Sequence, residues 1–269
     1  MFTDLRVTMV GILILLGGGM CTVFIVMMHP LFVYNPADVP PITASPMKAS
    51  DIYSVSQFRS NNGHDYSVDA WDGESCRSMK HYINSNMNVD ENNIPVRSAP
   101  KPDHPNIAIY APQDGTITSV KPENTPIGMQ IHIASRQNPS FFVVLFHTDL
   151  LPTLHVGSTV TSGQQIGTVG PMDGIDVAYE ARTITFRVVY LSIFEHMTQS
   201  AFAPFAAMGY KPDSFVLTRA QADASGYQCS GEQFTNAPIS SPGAPREGVV
   251  SLRPNPWIGQ YNRIHNIGQ

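Results

Sequence analysis

The chain has 269 residues, carries a net charge of −5, and is 42% hydrophobic but only 14% charged. This length is enough for one sizeable domain with appendages. The acidic balance and the scattered lysines and arginines exclude the broad basic surface that a nucleic-acid partner requires. The 22 prolines and 20 glycines indicate many turns, as in a mostly β protein.

The first predicted element is a transmembrane helix within residues 1–28. Residues 7–28 read VTMVGILILLGGGMCTVFIVMM, without a charged side chain, and about 20 apolar residues cross a bilayer as a helix. A cleaved signal peptide and a lipid-modified Cys21 are alternatives, but the run is long for a signal and continues past the cysteine. Arg6 precedes the run, and no lysine or arginine follows before Lys48. This asymmetry predicts a single-pass membrane protein with a cytoplasmic N-terminus and an extracytoplasmic body.

Residues 29–50 are rich in proline and are predicted to form an extended stalk between the bilayer and the soluble part. Residues 51–235 are predicted to form the β domain. From Ile107 onward, short apolar runs alternate with turn signals such as Asp114-Gly115. The interpretation is a mostly β fold, an antiparallel sandwich or barrel.

A short helix is predicted near the end of this domain, over about 193–208, where apolar residues recur at helical spacing. The stripe consists of Ile193, Met197, Ala201, Phe205 and Met208. Gly209 is placed to end the helix. Residues 236–269, rich in proline, serine, glycine and asparagine, are predicted to form an extended tail.

Two of the three cysteines, Cys76 and Cys229, flank the predicted β body, whereas Cys21 lies in the apolar run. In an extracytoplasmic domain these two residues can pair as a disulfide. The bond would tie the C-terminal region to the start of the domain.

Three stretches carry a family resemblance: APQDGTI (111–117), LFHTDL around His147, and VGSTVTSGQQIGTVG (156–170). Their order and glycine spacing resemble the M23 peptidases, the lysostaphin/LytM-like zinc endopeptidases that cut peptidoglycan cross-bridges. The resemblance covers roughly residues 59–180 and implies the duplicated-hybrid-motif β fold of that family. It also implies that His147 stands at the position of a catalytic histidine.

The resemblance implies a first metal motif in the stretch FRSNNGHDYS. Arg59, Gly63 and Asp65 match this motif, and Asn61 stands where the family has a histidine ligand. The alternative interpretation is an ordinary turn leading into a strand. Because successive strand residues point to opposite faces, His64 is expected to face away from the cleft if Asp65 faces it.

The resemblance implies a second metal motif in the stretch GIDVAYEA. Asp176 and Ala178 stand where the family has a His-x-His pair, and Glu180 matches the glutamate that follows. A catalytic zinc site needs three protein ligands and an open position for water. Alanine cannot ligate and asparagine is a poor zinc ligand, so of the implied ligands only Asp65 remains.

The sequence therefore predicts a degenerate cleft without a metal cofactor, in which Asp65 and His147 face each other and His147 is vestigial. The residues matched to the cleft are Arg59, Asn61, Asp65, Asp176 and Glu180. A rearranged zinc site would have to draw its ligands from Asp65, His147, Asp176, His64 and His81. In that arrangement His81 belongs to an insertion that folds over the cleft.

Two functions remain open. The first is a membrane-anchored, non-catalytic domain that binds a cell-wall peptide or glycan or another membrane-protein subunit. The alternative is an active zinc metallopeptidase of cell-wall peptides with the rearranged ligands. A biotinyl or lipoyl carrier is disfavoured, since Met47-Lys48 and Met79-Lys80 both precede the first hairpin instead of lying between the two halves.

Overall fold

The computed structural model of the protein describes most of the chain from residue 35 onward, together with the backbone of two short N-terminal segments. The described ranges are 11–15, 22–26, 35–70, 73–85, 107–123, 128–170, 174–182, 188–236 and 248–252. The chain divides into two compact units, Met1–Asp38 and Val39–Gln269.

The first unit contains two strands at residues where the sequence predicts a membrane helix. Strands β1 (Gly11–Leu15) and β2 (Thr22–Val26) are antiparallel. At these residues the structure has strands in place of the predicted helix. No helix within the described ranges is long and apolar enough to cross a membrane. The rest of the predicted span lies outside the described residues.

The second unit is built on one large antiparallel sheet. Its strands are β3 (Ile52–Ser56), β4 (His81–Ser85), β5 (Ala108–Tyr110), β6 (Gly115–Pro122), β7 (Met129–Ser135), β8 (Phe141–Leu150), β9 (Thr159–Val160), β10 (Gln165–Val169), β11 (Gly174–Arg182), β12 (Val188–Leu191) and β15 (Val249–Ser251). A separate small hairpin joins β13 (Cys229–Ser230) to β14 (Gln233–Phe234).

The sheet runs in the order β15-β3-β4-β11-β8-β7-β6-β9, with β10 joining β5 to β8 and β12 pairing with β11. The mostly β, antiparallel prediction is confirmed. The described strands do not close into a barrel, so that part of the prediction is wrong. Two edges, β15 and β9, remain at the ends of the ladder.

Strand β11 positions the site because it lies between β4 and β8 and is covered on both faces. Every residue from Gly174 to Ala181 is buried. Alternation places Ile175 and Val177 on one face, and Asp176 and its polar neighbours in the strand on the other. Buried polar groups must find partners to offset their desolvation, so this second face requires a network of charges and hydrogen bonds.

The predicted stalk is part of the domain from Val39 onward. Ile42 and Met47 are fully buried, and Ile42 forms an isolated parallel bridge with Met197. The hydroxyl of Tyr179 donates a 2.7 Å hydrogen bond to the carbonyl of Pro40. The large apolar residues of residues 39–50 are therefore packed against the domain instead of being free in solvent.

The predicted helix is present but shorter. Helix α1 spans Gln199–Ala207, and the Thr198 side chain caps it by accepting a hydrogen bond from the Ala201 amide. Residues 193–198 are not helical, because the capping threonine starts the helix later than the apolar stripe suggests. Phe205 is buried as predicted, whereas Met208 is 43% exposed. A second helix, α2, spans Arg219–Ala224.

The predicted disulfide between Cys76 and Cys229 is confirmed, with Cα atoms 5.6 Å apart and a sequence separation of 153. It links the loop before β4 to the hairpin of β13 and β14. Within the predicted tail, β15 is extended and pairs with β3 at the sheet edge. Residues 237–247 and 253–269 of the tail lie outside the described part.

Candidate functional site

The stretch FRSNNGHDYS forms an irregular loop before β4. Residues 60–64 are bends, so the strand alternation expected for His64 and Asp65 does not apply. Arg59 and Gly63 both adopt left-handed backbone, with φ of +67° and +77°. A Cβ at Gly63 would lie 1.9 Å from Cζ of Tyr82, so this position requires glycine for space as well as conformation.

Asp65 is a buried hydrogen-bond acceptor within this loop. Its Oδ1 accepts from the backbone amides of Ser67 and Arg77 at 3.0 and 3.1 Å, and from the Ser67 hydroxyl. Arg59, which matches the family motif beside Asp65, donates to Glu74 at 2.8 Å. Three donors saturate the lone pairs of this oxygen, so it has none left for a metal ion.

A bulge in β8 positions His147. Leu145 pairs with Ile131 and Thr148 with Met129, so β8 has one more residue than β7 between these pairs. His147 takes up this extra length with φ of +59°. A left-handed conformation costs a residue other than glycine about 1–2 kcal/mol. Bulges of this kind redirect a side chain, and here the imidazole turns toward two carboxylates.

Those carboxylates belong to Asp176 and Glu123. Nε2 of His147 lies 3.3 Å from Oδ2 of Asp176, and Nδ1 lies 3.0 Å from Oε2 of Glu123 without a well-angled hydrogen bond. The backbone amide of His147 donates to the same Glu123 oxygen at 2.7 Å. The predicted contact between His147 and Asp65 is therefore wrong, since Asp65 is occupied within its own loop.

Lys80 is the second cation on Asp176. Its Nζ donates a 2.7 Å hydrogen bond to Oδ2 of Asp176, and the two residues are 2% and 5% exposed. The ammonium also lies 4.9 Å from the ring centroids of Tyr66 and Tyr82 and 4.4 Å from that of Phe146. One carboxylate and three aromatic faces thus surround it, which replaces much of its lost hydration.

The electrostatics of this cluster favour the charged forms of Asp176 and His147. Burial alone would raise the pKa of Asp176, but the hydrogen bond with His147 and the charge of Lys80 lower it below its ordinary value. Burial lowers the pKa of His147, yet the hydrogen bond and charge of Asp176 outweigh this and raise it. The cluster is a buried set of paired charges and not a lone acid or base.

Ala178, at the second position of the matched His-x-His pair, lies in an apolar cluster. Val144, Phe146 and Ala178 are buried together, and Tyr66 and Phe142 pack against them. Strand register accounts for the contact, because Ala178 pairs with Val144 across β11 and β8. The small side chain at this position leaves room for the aromatic rings.

Glu180 anchors the other end of this face. It accepts from the Tyr66 hydroxyl at 3.1 Å and from Nε and a terminal nitrogen of Arg182 at 2.9 and 2.7 Å. Arg182 stacks 4.4 Å from the Phe142 ring and contacts Nδ1 of His132 at 2.8 Å. With a side chain 36% exposed, Arg182 is the part of the network that solvent reaches.

The two remaining candidate histidines have different positions from those expected. His64 does not face away from the cluster: its Nδ1 is 3.3 Å from the Tyr82 hydroxyl, and burial and the charge of Lys80 lower its pKa. His81 does not fold over the cleft. It is fully buried on β4, with ring nitrogens 2.9 Å from the carbonyl of Ser56 and from the hydroxyl of Ser192.

The residues at the family's metal positions do not fit a zinc ion. Asn61 and Ala178 stand where the family has two histidines, and at the third position Oδ1 of Asp65 accepts from two backbone amides. Among the residues that the structure describes, no three His, Cys, Asp or Glu side chains are grouped so as to hold a metal ion.

Two residues of the cluster were missed by the sequence analysis. Lys80 was considered only as part of a Met-Lys pair for a carrier domain, and Glu123 was not singled out. Neither carries a local signal, since Lys80 meets Asp176 from 96 residues away and Glu123 meets His147 from 24. The Arg182 contact with His132 spans 50 residues and was missed for the same reason.

No protein-family model matches the sequence, and no curated protein does. Among solved structures, the chain is similar to Csd3 of Helicobacter pylori, with 15% identity and a TM-score of 0.35 over 59% of this chain and 33% of Csd3. It is similar to lysostaphin, with 13% identity and a TM-score of 0.36 over 75% of this chain and 62% of lysostaphin.

It is also similar to the catalytic domain of the prophage-encoded M23 protein EnpA from Enterococcus faecalis, with 14% identity and a TM-score of 0.35 over 56% of this chain and 95% of that domain. The chain therefore spans about a third of Csd3 and under two thirds of lysostaphin. These neighbours agree with the M23-like resemblance of the sequence, and they carry no conclusion about activity.

Proposed function

We propose that this protein is a membrane-anchored, extracytoplasmic M23 peptidase-like domain that has lost catalysis and acts as a binding or scaffold module. The observation that carries the proposal is the packing around Ala178. The position matched to a zinc-ligand histidine is fully buried among Val144, Phe146 and Tyr66. A ligand side chain of histidine size would have to displace this packing, which cores do not tolerate without cost.

The chemistry of a metallopeptidase supports the same conclusion. A catalytic zinc ion polarises a bound water, and three protein ligands must hold the ion. Asn61 and Ala178 supply no adequate ligand. Oδ1 of Asp65 accepts hydrogen bonds from the amides of Ser67 and Arg77. His147 is directed toward two carboxylates, with Nε2 3.3 Å from Asp176 and Nδ1 3.0 Å from Glu123.

Membrane anchoring is proposed from the sequence alone. The run of residues 7–28 carries no charged side chain and is apolar enough to favour a bilayer over water, and the only nearby basic residue, Arg6, precedes it. The extracytoplasmic side is also an environment in which the Cys76–Cys229 disulfide is stable.

The candidate ligands are a cell-wall peptide or glycan, or another subunit of a membrane assembly. Such a ligand could bind at the solvent-exposed end of the cleft, where Arg182 lies. Arg182 presents a guanidinium to solvent, and its stacking on the half-buried Phe142 makes a flat surface with a cation at its edge. Such a surface suits a carboxylate or a sugar ring.

The loss of catalysis is tested with the full chain purified in a mild detergent. Elemental analysis should find zinc far below one equivalent, and the same sample should not cleave cell-wall cross-bridge peptides. Near-stoichiometric zinc together with cleavage that a chelator abolishes would establish the metallopeptidase with rearranged ligands instead.

The binding role is tested by co-sedimentation with purified peptidoglycan and by crosslinking in membranes. If the exposed end of the cleft binds the cell wall, Arg182→Gln should weaken sedimentation several-fold. The matched control is Arg136→Gln, which removes a guanidinium that is 56% exposed on a different hairpin. Equal binding by both variants, with a specific crosslink to a membrane protein, would favour the scaffold role.

A further inference from the structure

Lys80 is one of the least exposed charged side chains in the described part of the chain. It is 2% exposed, and the paired Asp176 is 5% exposed. A lysine at this depth is costly unless the protein supplies a partner and replaces its hydration. The residues around the Lys80 ammonium must therefore compensate its charge.

The compensating charge is the carboxylate of Asp176. This carboxylate replaces the first histidine of the matched His-x-His pair, and it is buried on the same face of β11 as Ala178. Lys80 reaches it at 2.7 Å. The ammonium also contacts the rings of Tyr66 and Phe146, and both rings belong to the cluster that fills the space around Ala178.

The segment that carries Lys80 is held firmly against the first motif. The Ser78 amide donates to the Ser60 carbonyl, and the Arg59 amide donates to the Ser78 carbonyl, both at 2.8 Å. Three residues before Lys80, Arg77 forms ion pairs with Glu74 at 2.6 Å and with Asp223 at 2.7 Å. The position of the ammonium is therefore determined by the fold and not by a mobile loop.

We propose that the Lys80 ammonium is a built-in cation that takes the place of the metal ion in this M23-like site. It neutralises the buried Asp176, supports the contact between Asp176 and His147, and keeps divalent metals out. The charges that face it are the carboxylate of Asp176 and the imidazoles of His147 and His64. A divalent ion beside this ammonium would meet strong repulsion at low dielectric.

The test uses the full chain in mild detergent and the variant Lys80→Ser, which removes the cation and leaves space. Breaking a buried ion pair on one side should lower the melting temperature by about 10 °C. Lys48→Ser is the matched control, because Lys48 is an exposed lysine 5.9 Å from the Tyr110 ring, and it should change the melting temperature little.

Addition of metal ions tests whether the Lys80 ammonium takes the place of a metal ion. Zinc chloride should restore at least half of the lost melting temperature in Lys80→Ser, with saturation near one equivalent. Asp176, His147 and His64 do not form a metal-binding group as described, but once the ammonium is gone their side chains can move together around an ion. It should not stabilise the unchanged chain or the double variant Lys80→Ser/Asp176→Asn. Cobalt should give ligand-field absorption only in Lys80→Ser.

An unchanged melting temperature in Lys80→Ser, or a failure of zinc to stabilise it, would overturn the inference. If Lys80→Ser does not fold, Lys80→Met is compared with Lys80→Met/Asp176→Leu. The inference expects the double variant to be the more stable, since it leaves no uncompensated carboxylate. A double variant no more stable than Lys80→Met would contradict it.

The inference rests on the proposed loss of the zinc site, but the two fail differently. Zinc-dependent cleavage by the unchanged chain contradicts the proposed function. Lys80 variants that keep full stability, in a chain that neither holds zinc nor cleaves, contradict only the role of Lys80.

Discussion

At the scale of single residues, the matched metal positions have been put to structural use. Asp65 organises the loop that contains it, and Asp176 is the centre of a charge cluster with Lys80 and His147. Both carboxylates therefore have hydrogen-bond or charge partners of their own within the fold. We therefore expect substitution of such a carboxylate to change the stability of the protein and not a catalytic rate.

We expect Asp65→Ala to lower the free energy of unfolding by about 2–3 kcal/mol. The substitution leaves the amides of Ser67 and Arg77 buried without an acceptor, and each unsatisfied group costs about 1–3 kcal/mol. Urea denaturation measures the change. The control is Asp69→Ala, which removes an exposed aspartate four residues away and should cost under about 0.5 kcal/mol. Equal effects of both variants would contradict this role for Asp65.

His81 makes stability depend on pH. Burial lowers its pKa from 6.5 to about 4. The unfolded chain therefore takes up a proton below pH 6.5 that the folded chain does not, so the stabilisation is complete above pH 6.5. It falls as the pH drops toward 4, by up to about 3 kcal/mol.

Urea denaturation between pH 7 and 4.5 checks this expectation. His81→Gln should flatten the pH dependence in part, because burial also lowers the pKa of His132 to about 4. His155→Gln, at an exposed position, is the control and should leave the slope unchanged. A slope that His81→Gln does not alter would show that other groups are responsible.

At the scale of elements, the loop before β4 and the bulge in β8 account for the difference between the expected and the observed site. The strands β8 and β11 follow the predicted antiparallel pattern, and their register brings Asp176 opposite Phe146. The loop before β4 then lays Tyr66 and Lys80 over that face. The disulfide fastens this loop at Cys76, where φ is +54°, to the hairpin that follows α2.

We expect the double variant Cys76→Ser/Cys229→Ser to lower the melting temperature by roughly 10 °C. Removal of a native disulfide typically costs about 2–5 kcal/mol, in the chain-entropy account because the unfolded chain regains freedom. Differential scanning calorimetry measures the shift, and non-reducing peptide mapping shows the bond in the unchanged chain. Cys21→Ser is the matched control and should leave the transition in place. Two free thiols at Cys76 and Cys229 would contradict the assignment.

At the scale of the whole molecule, the proposed topology places the domain that begins at Val39 outside the cytoplasm. The support is the charge asymmetry around residues 7–28, in which Arg6 precedes the run and Lys48 is the next basic residue. The proposal concerns the side of the membrane on which the domain acts. It is independent of whether the domain binds a cell-wall component or a membrane subunit.

A reporter enzyme that is active only outside the cytoplasm, fused to the C-terminus, should therefore be active. The control fusion lacks residues 1–28 and should be inactive, because the apolar run that directs export is then missing. A reporter active only in the cytoplasm would contradict the topology. It would also leave the disulfide without the oxidising compartment that stabilises it.

The sequence by itself determined the features that follow from local patterns. Alternating apolar runs and turn signals indicated an antiparallel β protein. The family resemblance implied that Asn61 and Ala178 stand at positions of histidine ligands, which stays a prediction. Two cysteines flanking the body indicated their disulfide. In each case the information lies in composition, spacing or motif and needs no knowledge of which distant segments meet.

Only the tertiary structure decided the partners of the buried charges. Lys80 meets Asp176 from 96 residues away, and Asp65 turns to its own loop instead of to His147. A buried charge is stabilised by whichever opposite charge and aromatic faces the strand register and the covering loop bring within a few ångströms. No periodic pattern in the sequence predicts the contact between Lys80 and Asp176, because it depends on how the loop before β4 crosses β11.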